Sequence, residues 1–291
     1  MSTQPTTARD TQARDCVRHD PWAQWLGVTV HAGGLVLPWR ERHLNVAGGV
    51  IHGGIQATLL HDSAWLEAAT GLSPSAPLEH LRVLEAQISF LRPAATTDLH
   101  ASAVVMRQGR EFAYVRACVR DGDGRDVASG CFVFTLHAGD PGHAQTLAGA
   151  RDPHDLVSSA TPLSPMASSF NQNMAARVPG LAVTALDAGL CRLHLEPAEL
   201  HRDWRGEIGA GIQLLAADNV GVFGCFALVG QPRRAATVDL KVGFCEPVVD
   251  EGLIITGAGV SRRGDLVQHQ LQINGADSGR LKAFGTMTFL C

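Results

Sequence analysis

The chain repeats itself, and this self-similarity limits the architectures open to it more than any single motif does. Residues 53–62, Gly-Gly-Ile-Gln-Ala-Thr-Leu-Leu-His-Asp, lie over residues 210–219, Ala-Gly-Ile-Gln-Leu-Leu-Ala-Ala-Asp-Asn, at a constant offset of 157 without a gap. Further on the offset is 154: Phe90-Leu91-Arg92-Pro93 meets Phe244-Cys245-Glu246-Pro247, and Phe134-Thr135-Leu136 meets Thr288-Phe289-Leu290. Three matches in the same order describe two copies of one unit, with three residues lost from a loop.

Each copy reads as the same series of elements. A short apolar opening (Trp22, Trp25, Leu26 in the first copy) leads to a strand, a Gly-rich turn, one long apolar helix and three or four strands. Val104–Val119 and Val127–Leu136 alternate or are rich in β-branched and aromatic residues, and Asp121-Gly122-Asp123-Gly124 between them reads as a hairpin turn. It lacks the further ligands and distal Glu of a calcium loop. In the second copy 237–244, 253–260, 266–273 and 281–290 repeat the strand pattern. From Ile212 to Val229 the polar side chains are Gln213, Asp218 and Asn219, so this helix is apolar nearly all round and must be buried on every side. A curved antiparallel sheet wrapped around one central helix satisfies that demand, which makes the fold class α+β. The boundaries expected are a disordered tail over 1–19, a first domain over 20–136, a linker rich in Ala, Gly, Pro and Ser over 137–168, and a second domain over 169–291.

Composition narrows the function. The chain has 291 residues, 45% of them hydrophobic, enough for two cores, and a net charge of -4 without a Lys/Arg run to meet a row of phosphates. Nucleic acid is therefore not an expected partner. The longest apolar run, Val220–Val229, is about half the length that crosses a bilayer, so no membrane partner is expected either. The seven cysteines are scattered without a Cys-x-x-Cys pair and are expected to pack as small hydrophobes in a reducing cytoplasm. His137, His143 and His154 lack the clustered spacing of metal ligands, and neither metal nor cofactor is expected.

The strongest local signal is Asn45, Gly48, Gly49, His52, Gly53 and Gly54 just before the first central helix. Glycines there allow a sharp turn and leave unpaired N–H groups at a helix N-terminus, where a developing negative charge is stabilised. The second signal is Asp218, a carboxylate in the middle of an apolar helix, which is costly to bury unless paired. The equivalent residue in the first copy is His61, and eight residues of helix separate it from Gly53 by about 12 Å. One helix cannot present both features to one carbonyl group. An antiparallel second helix can, bringing Gly53 and His52 of copy one against Asp218 of copy two. The opposite pairing sets Gly209, Ala210 and Gly211 against His61 and Asp62. It lacks the turn histidine and the aligned acid, so one competent and one decayed site are expected.

Asn45–Asp62, Phe90-Leu91-Arg92-Pro93 and the Gly109-Arg110 turn resemble the PaaI-type acyl-CoA thioesterases of the hot-dog superfamily, in its tandem form. The resemblance covers about 20–136 and, more faintly, 169–291. It implies hydrolysis of an acyl-CoA to acid and CoA, with the Gly53 N–H as oxyanion donor, His52 and Asn45 positioning the thioester or water, and Asp218 as base or nucleophile. Gly54, Asn219, His61, Asp62, Arg92 and Arg110 are the expected substrate-binding residues, the arginines toward CoA phosphates. Asn45 lies seven residues before His52 where the family usually has six, and His61 stands at the family's acid position in copy one. Pairs of double hot-dog chains are common in the superfamily, so a homodimer is an assembly the resemblance allows. Two other readings compete: an enoyl-thioester hydratase or dehydratase, and a non-catalytic acyl-CoA binder. Adjacent His61 and Asp62 point about 100° apart on a helix, which disfavours the shared proton transfer of the former. No Gly-x-Ser-x-Gly supports a serine hydrolase.

Overall fold

The computed structural model describes residues 7–45, 49–95, 97–136, 164–230 and 235–291. Helices α1 (Ala8–Arg18) and α2 (Pro21–Leu26) precede a short hairpin, β1 (Thr29–His31) and β2 (Gly34–Leu37). Then come the central helix α3 (Gly53–Thr70) and the strands β3 (Arg82–Phe90), β4 (Leu99–Gln108), β5 (Phe112–Arg120) and β6 (Asp126–Thr135). The second copy repeats the order: α4 (Pro165–Ala175), β7 (Leu181–Asp187), β8 (Leu190–Leu195), central helix α5 (Ala210–Val229), then β9 (Ala236–Phe244), β10 (Leu253–Arg263), β11 (Leu266–Gly275) and β12 (Leu281–Leu290).

All twelve strands form one antiparallel sheet in the order β1-β2-β4-β5-β6-β3-β9-β12-β11-β10-β8-β7. This order reads the same from both ends, so the seam lies between β3 and β9, where Glu85 faces Gly243 and Ser89 faces Asp239. The sheet curls over α3 and α5, most of whose apolar residues are buried, with residues 226–229 at the end of α5 half-buried. By length and hydropathy α5 could cross a bilayer, yet most of it is buried inside the fold.

The two central helices run antiparallel and touch at glycines. A Cβ on Gly54 would stand 2.6 Å from the Leu215 Cα, and one on Gly211 would stand 2.8 Å from the Thr58 Cγ2. Residues 54 and 58 are equivalent to 211 and 215, so the same contact occurs twice about a pseudo-twofold axis. Thr58 fastens the crossing, its hydroxyl lying within 3.1 Å of Gly54 O and 3.0 Å of Gly211 O. A further symmetric pair escaped the sequence comparison. His43 and His201, each in a short 3-10 turn, are buried and approach the carbonyls of Leu26 and Pro179 at 2.9 and 2.7 Å.

Three expectations change. Residues 8–18 are a helix rather than a disordered tail: Thr7 caps it, Ala13 and Val17 are buried, and Arg9 donates to the carbonyls of Ser73, Pro74 and Ala76. Helix α4 begins inside the stretch read as linker, whose residues 137–163 lie outside those described. Cys225 and Cys291 are joined by a disulfide, so this pair does not pack as independent small hydrophobes. The Asp121–Gly124 turn is as expected: Gly124 takes a positive φ of 79°, and the Asp121 carboxylate accepts from the Asp123 and Arg125 N–H groups.

His269 on β11 is fully buried against Gly221, Gly224 and Gly259, and neither ring nitrogen has a partner among the described residues. Burial lowers its pKa to about 4, and burial likewise lowers that of His43 to about 4. A depressed histidine contributes stability that is present above the unfolded value near 6.5 and is lost as pH falls toward 4. Thermal melts from pH 7 to pH 4 should therefore show falling stability. His269→Leu should remove on the order of 2 kcal/mol of that fall and cost little at pH 7, because no hydrogen bond is lost. An unchanged pH profile in this variant would remove His269 as a cause.

Candidate functional site

The chain enters α3 through a turn that His52 closes. As N-cap, its Nδ1 accepts from the Gly54 N–H at 2.9 Å, which leaves the proton on Nε2 to be donated to Asn219 Oδ1 at 3.0 Å. Asn219 is fixed in turn by donating to Leu215 O at 3.0 Å. One histidine thus ties the N-terminus of α3 to the middle of α5, across the two copies. The Gly53 N–H is the first of the helix and has no intrahelical acceptor.

Asp218 arrives from the other copy. It is buried, and its Oδ2 would lie 3.1 Å from a Cβ placed on Gly53. The same oxygen is 3.4 Å from His52 Nδ1, but with that nitrogen accepting from Gly54 no proton lies between them. The Thr237 hydroxyl at the start of β9 donates to Asp218 Oδ1 at 2.6 Å. One carboxylate oxygen is therefore held by a hydroxyl, and the other is presented beside the free end of α3.

These groups open on a cavity of about 350 Å³, into which Asn45, His52, Gly53, Gln56, Asp218 and Asn219 face from the seam. Its inner wall is Val222, Phe223, Phe226 and Phe289, with Phe170 of α4 stacked on Phe223 at 4.3 Å between ring centroids. Exposed Leu91 and Arg92 stand at the rim. A charged or polar head with an apolar tail would find its polar part between Gly53 and Asp218 and its tail among the phenylalanines.

The second seam is built differently. Asp203 stands where Asn45 stands, Gly209 where His52 does and Ala210 where Gly53 does. The space between them and His61 is about 30 Å³ and is bounded by Trp22, Trp65 and Trp204, the last two 5.8 Å apart. His61 approaches Asp62 at 2.9 Å, and Arg205 is engaged by Asp203 at 2.6 Å. Burial and the nearby Asp62 push the Asp20 carboxyl well above the usual carboxylate range, an arrangement suited to a filled interior rather than to an open pocket. An outer cavity of about 320 Å³ remains, bordered by the Arg82–Glu207 ion pair and without His61 in its lining, with Glu246 in the place of Arg92.

Among the residues expected from sequence, the first cavity brings together Asn45, His52, Gly53, Asp218, Asn219 and Arg92. Gly54 serves the helix crossing rather than the cavity wall. His61 and Asp62 line the second seam instead, and exposed Arg110 lines neither. Gly48 lies outside the described residues. Thr237, Gln56 and Phe170 were not foreseen. The alignment of Gln56 with Gln213 in the repeat was a signal for the second of these, whereas Thr237 aligns with Val83 of the other copy and carried none. No cluster of three or more His, Cys, Asp or Glu suited to a metal exists among the described residues.

Comparison with known proteins agrees with this architecture. Residues 48–128 match the thioesterase superfamily. Solved structures with a similar fold include a candidate thioesterase from Novosphingobium aromaticivorans (TM-score 0.65, 16% identity, covering 90% of this chain and 97% of that one). Others are a hot-dog protein of unknown function from Alicyclobacillus acidocaldarius (0.62, 14%, 91% and 95%) and acyl-CoA thioesterase II TesB2 from Mycobacterium marinum (0.58, 13%, 91% and 95%). No curated protein matches the chain in sequence. The fold across the whole chain is the double hot-dog, two tandem hot-dog domains of the α+β class.

Proposed function

We propose that this double hot-dog protein, whose first repeat matches the thioesterase superfamily, is an acyl-CoA thioesterase with one site per chain. The observation that carries the reading is Asp218 Oδ2 set against Gly53 across the seam, with an apolar cavity behind it. A thioester carbonyl placed there has its oxygen toward the Gly53 N–H and its carbon toward the carboxylate. As a nucleophile adds, charge gathers on that oxygen, and one such donor contributes about 3 kcal/mol to lowering the barrier. Asp218 supplies the other half, as base toward water or as nucleophile. The C–S bond then breaks and the thiolate leaves protonated as CoA.

In this reading His52 is a positioning residue: with both nitrogens engaged, it sets the entry angle of α3 and hence the direction of the Gly53 N–H. Thr237 aims the carboxylate. Asn45 and Asn219 border the polar end, the acyl group lies among Phe223, Phe226 and Phe289, and Arg92 at the rim meets the phosphates of CoA. The protein is read as soluble and cytoplasmic, as a double hot-dog chain that can pair with a second copy.

Thiol release from short, medium and aromatic acyl-CoAs tests the reading directly. Release with equimolar acid is expected. Formation of 3-hydroxyacyl-CoA from an enoyl-CoA without free thiol would establish a hydratase instead, and thermal protection by ligand without turnover would establish a binder. The filled second seam adds a stoichiometric expectation. Calorimetry with a non-hydrolysable acyl-CoA analogue should give one ligand per chain, and a value of two would show that Trp22, Trp65 and Trp204 move aside.

A further inference from the structure

Gln56 lies one turn into α3 on the face that Gly53 opens, since residues three apart on a helix are neighbours about 5–6 Å apart. Its Nε2 donates to Ile51 O at 3.1 Å, which fixes the plane of the amide. The side chain is 96% buried, borders the same cavity as Asp218, and Oε1 has no donor among the described residues. An amide oxygen buried without a donor costs free energy that a bound molecule can return.

The chemistry of that oxygen restricts what it meets. It is an acceptor only, so it repels the oxyanion that the Gly53 N–H stabilises and finds nothing to bond in the thioester group itself. The attacking water carries two protons and leaves a lone pair for the acyl carbon. We propose that Gln56 is a catalytic residue that holds this water, accepting one proton in a hydrogen bond while Asp218 takes the other as base. The proposal rests on the thioesterase reading and decides between its two mechanisms. The water oxygen bonds to the acyl carbon and one proton passes to Asp218 Oδ2. The C–S bond then breaks, and that proton leaves with the thiolate, while the proton hydrogen-bonded to Gln56 stays on the water oxygen and so with the new acid.

The repeat supplies the control. Gln213 makes the same tether in copy two, Nε2 to Ile208 O at 2.9 Å, with its Oε1 also unpartnered, but it borders a cavity without Asp218 or Gly53. Gln56→Met and Gln213→Met therefore remove the same structural bond. Methanol supplies a readout that a tether cannot move, because as a nucleophile it has one O–H proton to give and needs Asp218 but no second acceptor. In water–methanol mixtures with an acyl-CoA that the wild type hydrolyses, Gln56→Met is expected to slow acid formation about tenfold and leave methyl ester formation nearly unchanged. The ester-to-acid ratio then rises about tenfold, and Gln213→Met leaves it at the wild-type value. An unchanged ratio in Gln56→Met, or a raised KM with kcat intact, overturns the proposal while thiol release by the wild type keeps the thioesterase reading. A wild type that releases no thiol from any acyl-CoA overturns both. Gln56→Leu supplies the same readout should Gln56→Met fail to fold.

Discussion

Asp218→Asn is expected to lower kcat for thioester hydrolysis by about a thousandfold while leaving the fold and KM nearly unchanged. Asparagine has the same shape, so Thr237 can still donate to the side-chain oxygen that replaces Oδ1, and the Asn219–His52 link next to it is untouched. What is lost is the capacity to take a proton or to attack, and positioned acid–base groups contribute 10²–10⁴-fold. Removing an interaction used only in the transition state lowers kcat and kcat/KM together. The same exchange at Asp62 should change turnover little, because Asp62 lies in the second seam against His61. Thiol release by the two variants under identical conditions decides the matter. If Asp62→Asn silences the enzyme and Asp218→Asn does not, the working seam is the other one and the alignment of the two helices is off by a residue.

Much of this site was legible because it depends on residue types that are costly to place where they are. A carboxylate in the middle of the apolar run 212–229 and a glycine pair at a helix start both oppose local preference, and the constant offset of 157 sets them on opposed helices. The strands of copy two were legible to within a few residues because period-two alternation on a half-buried sheet leaves little freedom. Other features depend on distance through space, which no spacing rule conveys. Helix α1 buries only Arg9, Ala13 and Val17, and its anchor is an arginine reaching carbonyls 64 to 67 residues away. Thr237 acquires its role because β9 starts beside α5. Trp22, Trp65 and Trp204 fill the second seam from three separate segments, so its lack of the turn histidine and of the aligned acid was readable at Gly209 and His61 but its closure was not.

Gly54→Ala carries the second large effect, and Gly211→Ala measures how much of it is special to the seam of Gly53 and Asp218. A methyl group on Gly54 would sit 2.6 Å from the Cα of Leu215 and 2.8 Å from its Cγ, so the obstacle includes backbone, and α3 and α5 must separate. At Gly211 the nearest atom is a Thr58 methyl at 2.8 Å, which a side-chain adjustment can relieve in part. Overpacking against fixed backbone places the first substitution at about 3 kcal/mol of lost stability and the second at about 1 kcal/mol. The functional penalty should be more unequal still. Gly53 adjoins Gly54 and Asp218 lies three residues from Leu215 on the facing helix, and a shift of about 1 Å between reacting groups costs on the order of 10²-fold in rate. Denaturant melts and kcat for both variants, measured where each remains folded, should therefore show Gly54→Ala losing activity far beyond its share of stability and Gly211→Ala losing little. Equal losses of kcat in the two variants would mean that the helix crossing as a whole, and not the approach of Gly53 to Asp218, governs the reaction.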